Sequence, residues 1–172
     1  MSYFNKIMKM EKTLPNYNEI INLEKIANKN GSGIIFDQLI NKWKFKYVWK
    51  QGKDSIDNVS SSILQVLTAS LELSLVESND DSIGFEIRNS IKCGFLSVVF
   101  SGKAFLKGKR PLLYFYLKNL NLKVGKLNIL NKKLEEMDIK KMPFFSLIAI
   151  DNKKEWLCAR GKGGGLAIWI SS

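Results

Sequence analysis

Residues 42–50 run Lys42-Trp43-Lys44-Phe45-Lys46-Tyr47-Val48-Trp49-Lys50, with a ring at every odd position and lysine at every even one but Val48. Side chains along a strand point alternately to opposite faces, so this segment predicts a strand with one aromatic and one charged face. Four rings, each burying roughly 150–250 Å², need an interior to face. The lysines put the other face in water, which is the signature of an antiparallel sheet wet on one side.

The same alternation recurs downstream. Leu71, Leu73 and Leu75 alternate with Glu72 and Ser74, and Ile83, Phe85 and Ile87 with Gly84, Glu86 and Arg88. The turn cluster Ser78-Asn79-Asp80-Asp81 between them predicts a hairpin. A further strand is expected over Cys93 to Phe100, interrupted at Gly102-Lys103 by a turn or bulge and continued by Ala104 to Leu106. After the turn at Gly108 to Pro111, Leu112 to Val124 reads as one bent strand or a strand pair. Lys126 to Lys141 is polar, with a helical turn at Leu134 to Met137. Phe144 to Ile150, Trp156 to Arg160 and Leu166 to Ile170 complete the strands, separated by a hairpin turn at Asp151 to Lys154 and by Gly161 to Gly165. Ile63 to Thr68 fits helix and strand equally.

Ahead of the strands the period is helical. Residues 1–14 read as a short helix or loose arm. From Pro15, with Asn16 as cap, Ile20, Leu23, Ile26 and Ala27 fall on one face and Glu19, Glu24, Lys25 and Asn28 on the other. Gly31-Ser32-Gly33 ends this helix, and Ile34 to Ile40 leads through one helical turn into the aromatic strand. The expected fold is all-β with an N-terminal helical segment: residues 1–33 packed on an antiparallel β-barrel of residues 34–172, a barrel rather than a sandwich.

A length of 172 residues fits one domain. The net charge of +11 raises the question of an anionic partner. The basic residues are lysines apart from Arg88, Arg110 and Arg160, they are spread along the chain, and Asn and Ile are also plentiful, so an AT-rich genome accounts for most of the imbalance. An anionic membrane surface, bound peripherally, is the next reading and nucleic acid the weakest. The chain has no histidine, which removes Ser-His-Asp and Cys-His catalysis and His-dependent metal sites. Cys93 and Cys158 lack metal-ligand spacing and suit a reducing compartment. The carboxylate pairs Asp80-Asp81 and Glu135-Glu136 lie in polar turns. No catalytic residue, metal or cofactor is therefore expected. No apolar run approaches 18 residues, and residues 1–12 lack the apolar core of a signal peptide.

Three features remain as candidate chemistry. The Trp43, Phe45, Tyr47, Trp49 face is either plain core or the wall of a ligand cavity. Arg88 and Arg160, in a chain that otherwise writes lysine, suit bidentate contact with an anionic head group at a barrel mouth, or an internal pair with Glu72, Glu86 or Asp151. The Gly161–Gly165 stretch lacks P-loop order and reads as a hairpin or bulge, with a backbone anion nest as the sharper alternative.

Leu39-Ile40-Asn41-Lys42-Trp43-Lys44-Phe45-Lys46-Tyr47 resembles the first strand of the plastid-lipid-associated, or fibrillin, family: a leucine-rich lead, then Trp, one residue, an apolar residue, one residue, Tyr. Asp151 followed by Arg160-Gly161 and an apolar strand is similar to that family's closing pattern, and the helix bearing Leu23-Glu24 fits. The chain departs from the pattern in the number of glycines at 161–165 and in Asn41, where lipocalins generally have Gly. The resemblance implies a lipocalin-like barrel that binds or shuttles a small hydrophobic molecule (lipid, quinone or carotenoid), cytoplasmic in a cyanobacterial-type source and peripheral to thylakoid membranes. The expected ligand wall is Trp43, Phe45, Tyr47, Trp49, Phe85 and Trp156, with Arg88 and Arg160 at its mouth. Competing readings are a lipocalin-like bilin lyase, whose characteristic motif is absent, and a filled barrel that binds a partner or single-stranded nucleic acid.

Overall fold

The described residues form nine strands: β1 (Asn41–Trp49), β2 (Ser70–Val76), β3 (Gly84–Cys93), β4 (Leu96–Lys107), β5 (Leu112–Val124), β6 (Leu127–Lys133), β7 (Phe144–Ile150), β8 (Trp156–Gly161) and β9 (Leu166–Ser171). The structure, a computed structural model, describes residues 14–58, 60, 69–76, 84–135, 138–151, 153 and 155–172. The expectations for residues 1–13, for 63–68, for the turn at 78–81, and for parts of the turns at 134–137 and 151–154 lie outside the described residues.

Every strand pair is antiparallel. β1, β2, β3, β4, β5, β7, β8 and β9 are neighbours in that order, and β9 pairs back to β1. The ring is closed, so the fold is an antiparallel β-barrel, as the alternation predicts. β5 is shared between two partners. Its start, Leu112–Tyr114, pairs with β7, and its end, Asn119–Val124, pairs with β6. β6 therefore stands outside the ring. Its apolar residues Leu127, Ile129 and Leu130 break strict alternation and every residue of it is exposed, which is why periodicity alone does not mark it as a strand.

Helix α1 (Tyr17–Asn30) starts where Asn16 and Glu19 form a reciprocal capping box, Asn16 Oδ1 accepting from the Glu19 amide and Glu19 Oε2 from the Asn16 amide. It ends at Gly31, whose φ of 88° favours glycine. The predicted helical turn before β1 is α2 (Phe36–Leu39).

Two apolar clusters hold the molecule together. One fills the barrel interior and includes Leu39, Trp43, Leu73, Phe85, Ile87, Leu113 and Leu147. The other lies on the outer wall under α1 and includes Ile20, Trp49, Ile148, Cys158, Leu166 and Ile168. β1 contributes to both because the β1–β9 register slips between Phe45 and Tyr47, leaving Lys46 as an extra residue. A one-residue bulge reverses the sidedness of everything after it. The single aromatic face expected from strict alternation is therefore two half-faces. Trp43 and Phe45 point inward; Tyr47 and Trp49 point outward, beneath the helix. β7 makes the same switch at Ile148, so the helix meets apolar side chains on a wall that would otherwise be wet.

Candidate functional site

The floor of the barrel is filled. Phe36 of α2 stacks on Phe85 with ring centroids 3.7 Å apart. The Trp43 indole is fully buried, and its Nε1–H donates to the Leu39 carbonyl at 2.9 Å. This bond ties α2 to the strand that follows it and stoppers that end.

Toward the other end the interior opens into a cavity of about 410 Å³, within the range of sites that hold small molecules. Its walls are Phe45, Leu71, Ile91, Phe145 and Trp169, with Val48 and Ala167 above them. The Trp169 ring meets Phe45 edge-on at 6.4 Å and Phe145 at 5.3 Å, making one continuous aromatic wall. Asn89, which alternates inward with Ile87 and Ile91, supplies a polar group, while the Ser70 hydroxyl is paired with that of Ser90 at 2.7 Å on the opposite face; among the described residues that line the cavity none is charged. Such a surface suits a neutral or weakly polar lipophilic molecule, oriented by one amide.

The mouth is bordered by Gly161, Gly163 and Gly165. The amides of Gly161, Lys162 and Gly164 donate to the carbonyls of Gly165, Phe144 and Gly161. These donors are turned into the hairpin, which leaves little of an anion nest. Gly164 adopts φ 83°, and a Cβ there would lie 2.6 Å from the Gln51 side chain. Lys162 Nζ donates to the carbonyls of Met142 and Lys141 at 3.2 and 3.3 Å, pinning the loop to the turn before β7. The glycines thus form a small-residue rim on a fixed loop.

The residues expected at a ligand site are divided by this geometry. Phe45 lines the cavity. Trp43 and Phe85 lie in the filled floor below it. Tyr47, Trp49 and Trp156 belong to the outer cluster, and Tyr47 and Trp49 also border a separate cleft of about 500 Å³ at the start of α1, with Asn16, Asn18 and Asp54. Arg88 is exposed on β3, opposite Glu72 in the sheet register. Arg160 is on the outer wall rather than at the mouth. Leu71, Ile91, Phe145 and Trp169 were not singled out by sequence. Their alternation marks them as inward-facing, but only closure of the ring brings them together.

Arg160 has a different task. Its Nε and Nη2 donate to Glu24 of α1 at 2.7 and 2.5 Å, and Arg110 Nη2 donates to Glu24 Oε1 at 2.8 Å. Arg110 also donates to Asn28 Oδ1. Glu24, placed by the helical period on the polar face, is buried instead, while Ile26 is 56% exposed. The Arg160 hydrogen bonds hold the Glu24 carboxyl below its ordinary range against the opposing effect of burial, with Arg110 adding to the effect. Of the three acidic partners weighed for Arg160, none is the one it takes. Arg160 Nη1 also donates to the Gly164 carbonyl, so the clamp that seats the helix braces the glycine rim.

Burial pushes the Cys158 thiol up to about 12, so it stays protonated and unreactive. Among the described residues no cluster of His, Cys, Asp or Glu could hold a metal ion, and no helix is long and apolar enough to cross a membrane. A scan against models of known protein families finds no match, and a search of curated proteins finds none.

Proposed function

We propose that the protein is a non-enzymatic carrier that holds a small hydrophobic molecule in the upper half of its barrel. The observation that carries this reading is the cavity itself, which has aromatic and aliphatic walls above a stoppered floor and a rim of glycines. A filled barrel would need no such space. The resemblance to the plastid-lipid-associated family points the same way and suggests lipid, quinone or carotenoid near photosynthetic membranes as the cargo. About ten methylenes buried at ~0.8 kcal/mol each give roughly 8 kcal/mol. That corresponds to micromolar affinity before the costs of association weaken it.

Titration with the methyl ester of a fluorescent polyene fatty acid, neutral like the cavity lining, tests the reading, because energy transfer from the tryptophans, of which Trp169 lines the cavity, reports entry. The expected result is saturable binding in the micromolar range or weaker. Gly163 has open space where a Cβ would stand and no positive φ, so Gly163→Trp narrows the mouth without backbone strain and weakens binding at least tenfold. Absence of saturable binding, or binding unchanged in Gly163→Trp and in Phe45→Ala, refutes the carrier reading.

A further inference from the structure

β3, β4, β5 and β6 do not stop at the barrel rim. β3 and β4 continue past the first β2 pair, Ser70 with Ser90, as far as Cys93 and Leu96. β4 and β5 continue past the last β5–β7 pair, at Tyr114, as far as Val124. At ~3.4 Å per residue this is a projection of about 10 Å on one side and about 30 Å on the other. The four strands form a ribbon that rises from the same end as the cavity mouth. Ile91, which lines the cavity, lies two residues before its tip.

Two turns make that tip. Leu96 lies opposite Val124, and the Gly125 amide donates to the Phe95 carbonyl at 2.7 Å, so the β3–β4 and β5–β6 turns lie side by side. The side chains there are apolar and unprotected. Phe95 is 84% exposed and Leu127 68%, and Leu96 and Val124 are exposed beside them. A contiguous exposed apolar patch is uncommon on a protein that stays in water.

The charge around it is equally uneven. The stretches that build the ribbon, 89–101 and 117–134, contain six lysines and no Asp or Glu, and so hold +6 of the net +11. Lys92 and Lys123 lie on one face of the ribbon just behind the turns, and Lys126 is in the second turn. Greasy tips ringed by lysines, with no acid to repel an anion, match a bilayer with anionic head groups. The side chains of the tips enter the acyl boundary and the ammonium groups stay among the phosphates. Stacking platforms for bases are absent from the described tip apart from Phe95, which makes nucleic acid the poorer match.

We propose that this ribbon tip is a docking surface for anionic membranes, and that docking there turns the cavity mouth toward the bilayer. The peripheral membrane contact that the sequence leaves without a location is thereby given one, where apolar side chains accompany the charge. The surface stands independently of whether the cavity carries cargo.

Flotation with vesicles of phosphatidylcholine alone, and of phosphatidylcholine mixed with phosphatidylglycerol, tests the proposal on the full chain. The expected result is binding to the mixed vesicles only, lost at about 1 M salt, where the screening length is ~3 Å. Lys123→Gln and Lys126→Gln should each weaken partitioning about fivefold, and Phe95→Ser with Leu127→Ser at least tenfold. Lys107→Gln with Lys109→Gln, at the opposite end of β4, removes twice the charge of either single tip variant and should still change binding no more than twofold. Cys93 is exposed at the tip, so a fluorophore attached to it in a Cys158→Ala background should be quenched by brominated lipid. Gly163→Trp should bind vesicles normally, which separates failure of the carrier reading from failure of this one. Equal binding to neutral vesicles, equal loss in the Lys107/Lys109 variant, or tip-dependent binding of single-stranded DNA without vesicle binding overturns the proposal.

Discussion

Glu24→Gln tests how the helix is held to the barrel. The substitution keeps the side chain's volume and one acceptor oxygen, but it removes the charge and presents an amide donor to two guanidinium groups. Wild-type Glu24 accepts from Arg160 at 2.7 and 2.5 Å and from Arg110 at 2.8 Å. Hydrogen bonds to charged groups contribute about 1.5–3 kcal/mol each. The arginine side chains are only 25% and 26% exposed, so water replaces part of what is lost, and a net cost of about 2–3 kcal/mol follows. For a chain of this size that is a fall in Tm of roughly 4–12 °C. The pH dependence has a definite sign. Folding lowers the Glu24 pKa from its ordinary 4.5, so its contribution is complete above that value and is lost as the pH falls through the lowered one. Urea denaturation of wild type and variant should therefore differ in full at pH 7, and the gap should close on acidification below 4.5. Equal midpoints at pH 7, or a gap unchanged at pH 3, would refute the reasoning.

Other outcomes follow from single contacts. A Cβ at Gly102 would lie 2.8 Å from the Leu117 Cα and against the Tyr116 carbonyl, so Gly102→Ala should cost about 3 kcal/mol or more in urea denaturation. Trp43→Phe removes the donor to the Leu39 carbonyl and should cost about 2–3 kcal/mol, with faster hydrogen exchange in α2. In a thiol-reagent assay Cys93, which is exposed, should react at once, and Cys158, buried and raised to about 12, only after denaturant is added; two fast thiols would show the outer cluster to be open.

Much of the barrel was legible because period-two alternation survives in most strands, and because turns such as Gly108 to Pro111 carry their own chemistry. The helix was legible at both ends, from Asn16 with Glu19 and from Gly31. What sequence could not give was register. Counting by twos assumes no extra residue, and β1 inserts Lys46, β5 Lys118, β6 Ile129 and β7 Ile148. Each reverses the faces beyond it, so strict alternation places Tyr47 and Trp49 in the interior and Val48 outside it, the opposite of the folded arrangement. Glu24 was misplaced for a related reason. Its partners, Arg110 and Arg160, are 86 and 136 residues away, and no local pattern reveals that a helix's polar residue faces two partly buried cations. The tip of the ribbon is hidden in the sequence because Gly94-Phe95 does not look like a turn next to Cys93 and Leu96, and because the two acid-free stretches, 89–101 and 117–134, come together only in the folded sheet.

These irregularities divide the labour of one sheet. An unbulged β1 would point four large rings into the barrel and take Tyr47 and Trp49 out of the apolar cluster under α1. With Lys46 inserted, two rings serve the interior and two anchor the helix, and the position above Phe45 passes to Val48 and Ala167, which are small enough to leave space. Lys118 has a parallel effect in β5. It falls where the strand has left β7 and has not yet met β6, keeping Leu117 inward and bringing Leu120 and Leu122 to the inward side again beyond it. The apolar face of the barrel interior is thereby carried past the rim toward the tip. A cavity above a stoppered floor and an apolar ribbon beside its mouth both arise from single inserted residues, so removing one of those residues is a sharper probe of function than truncating any of the rings.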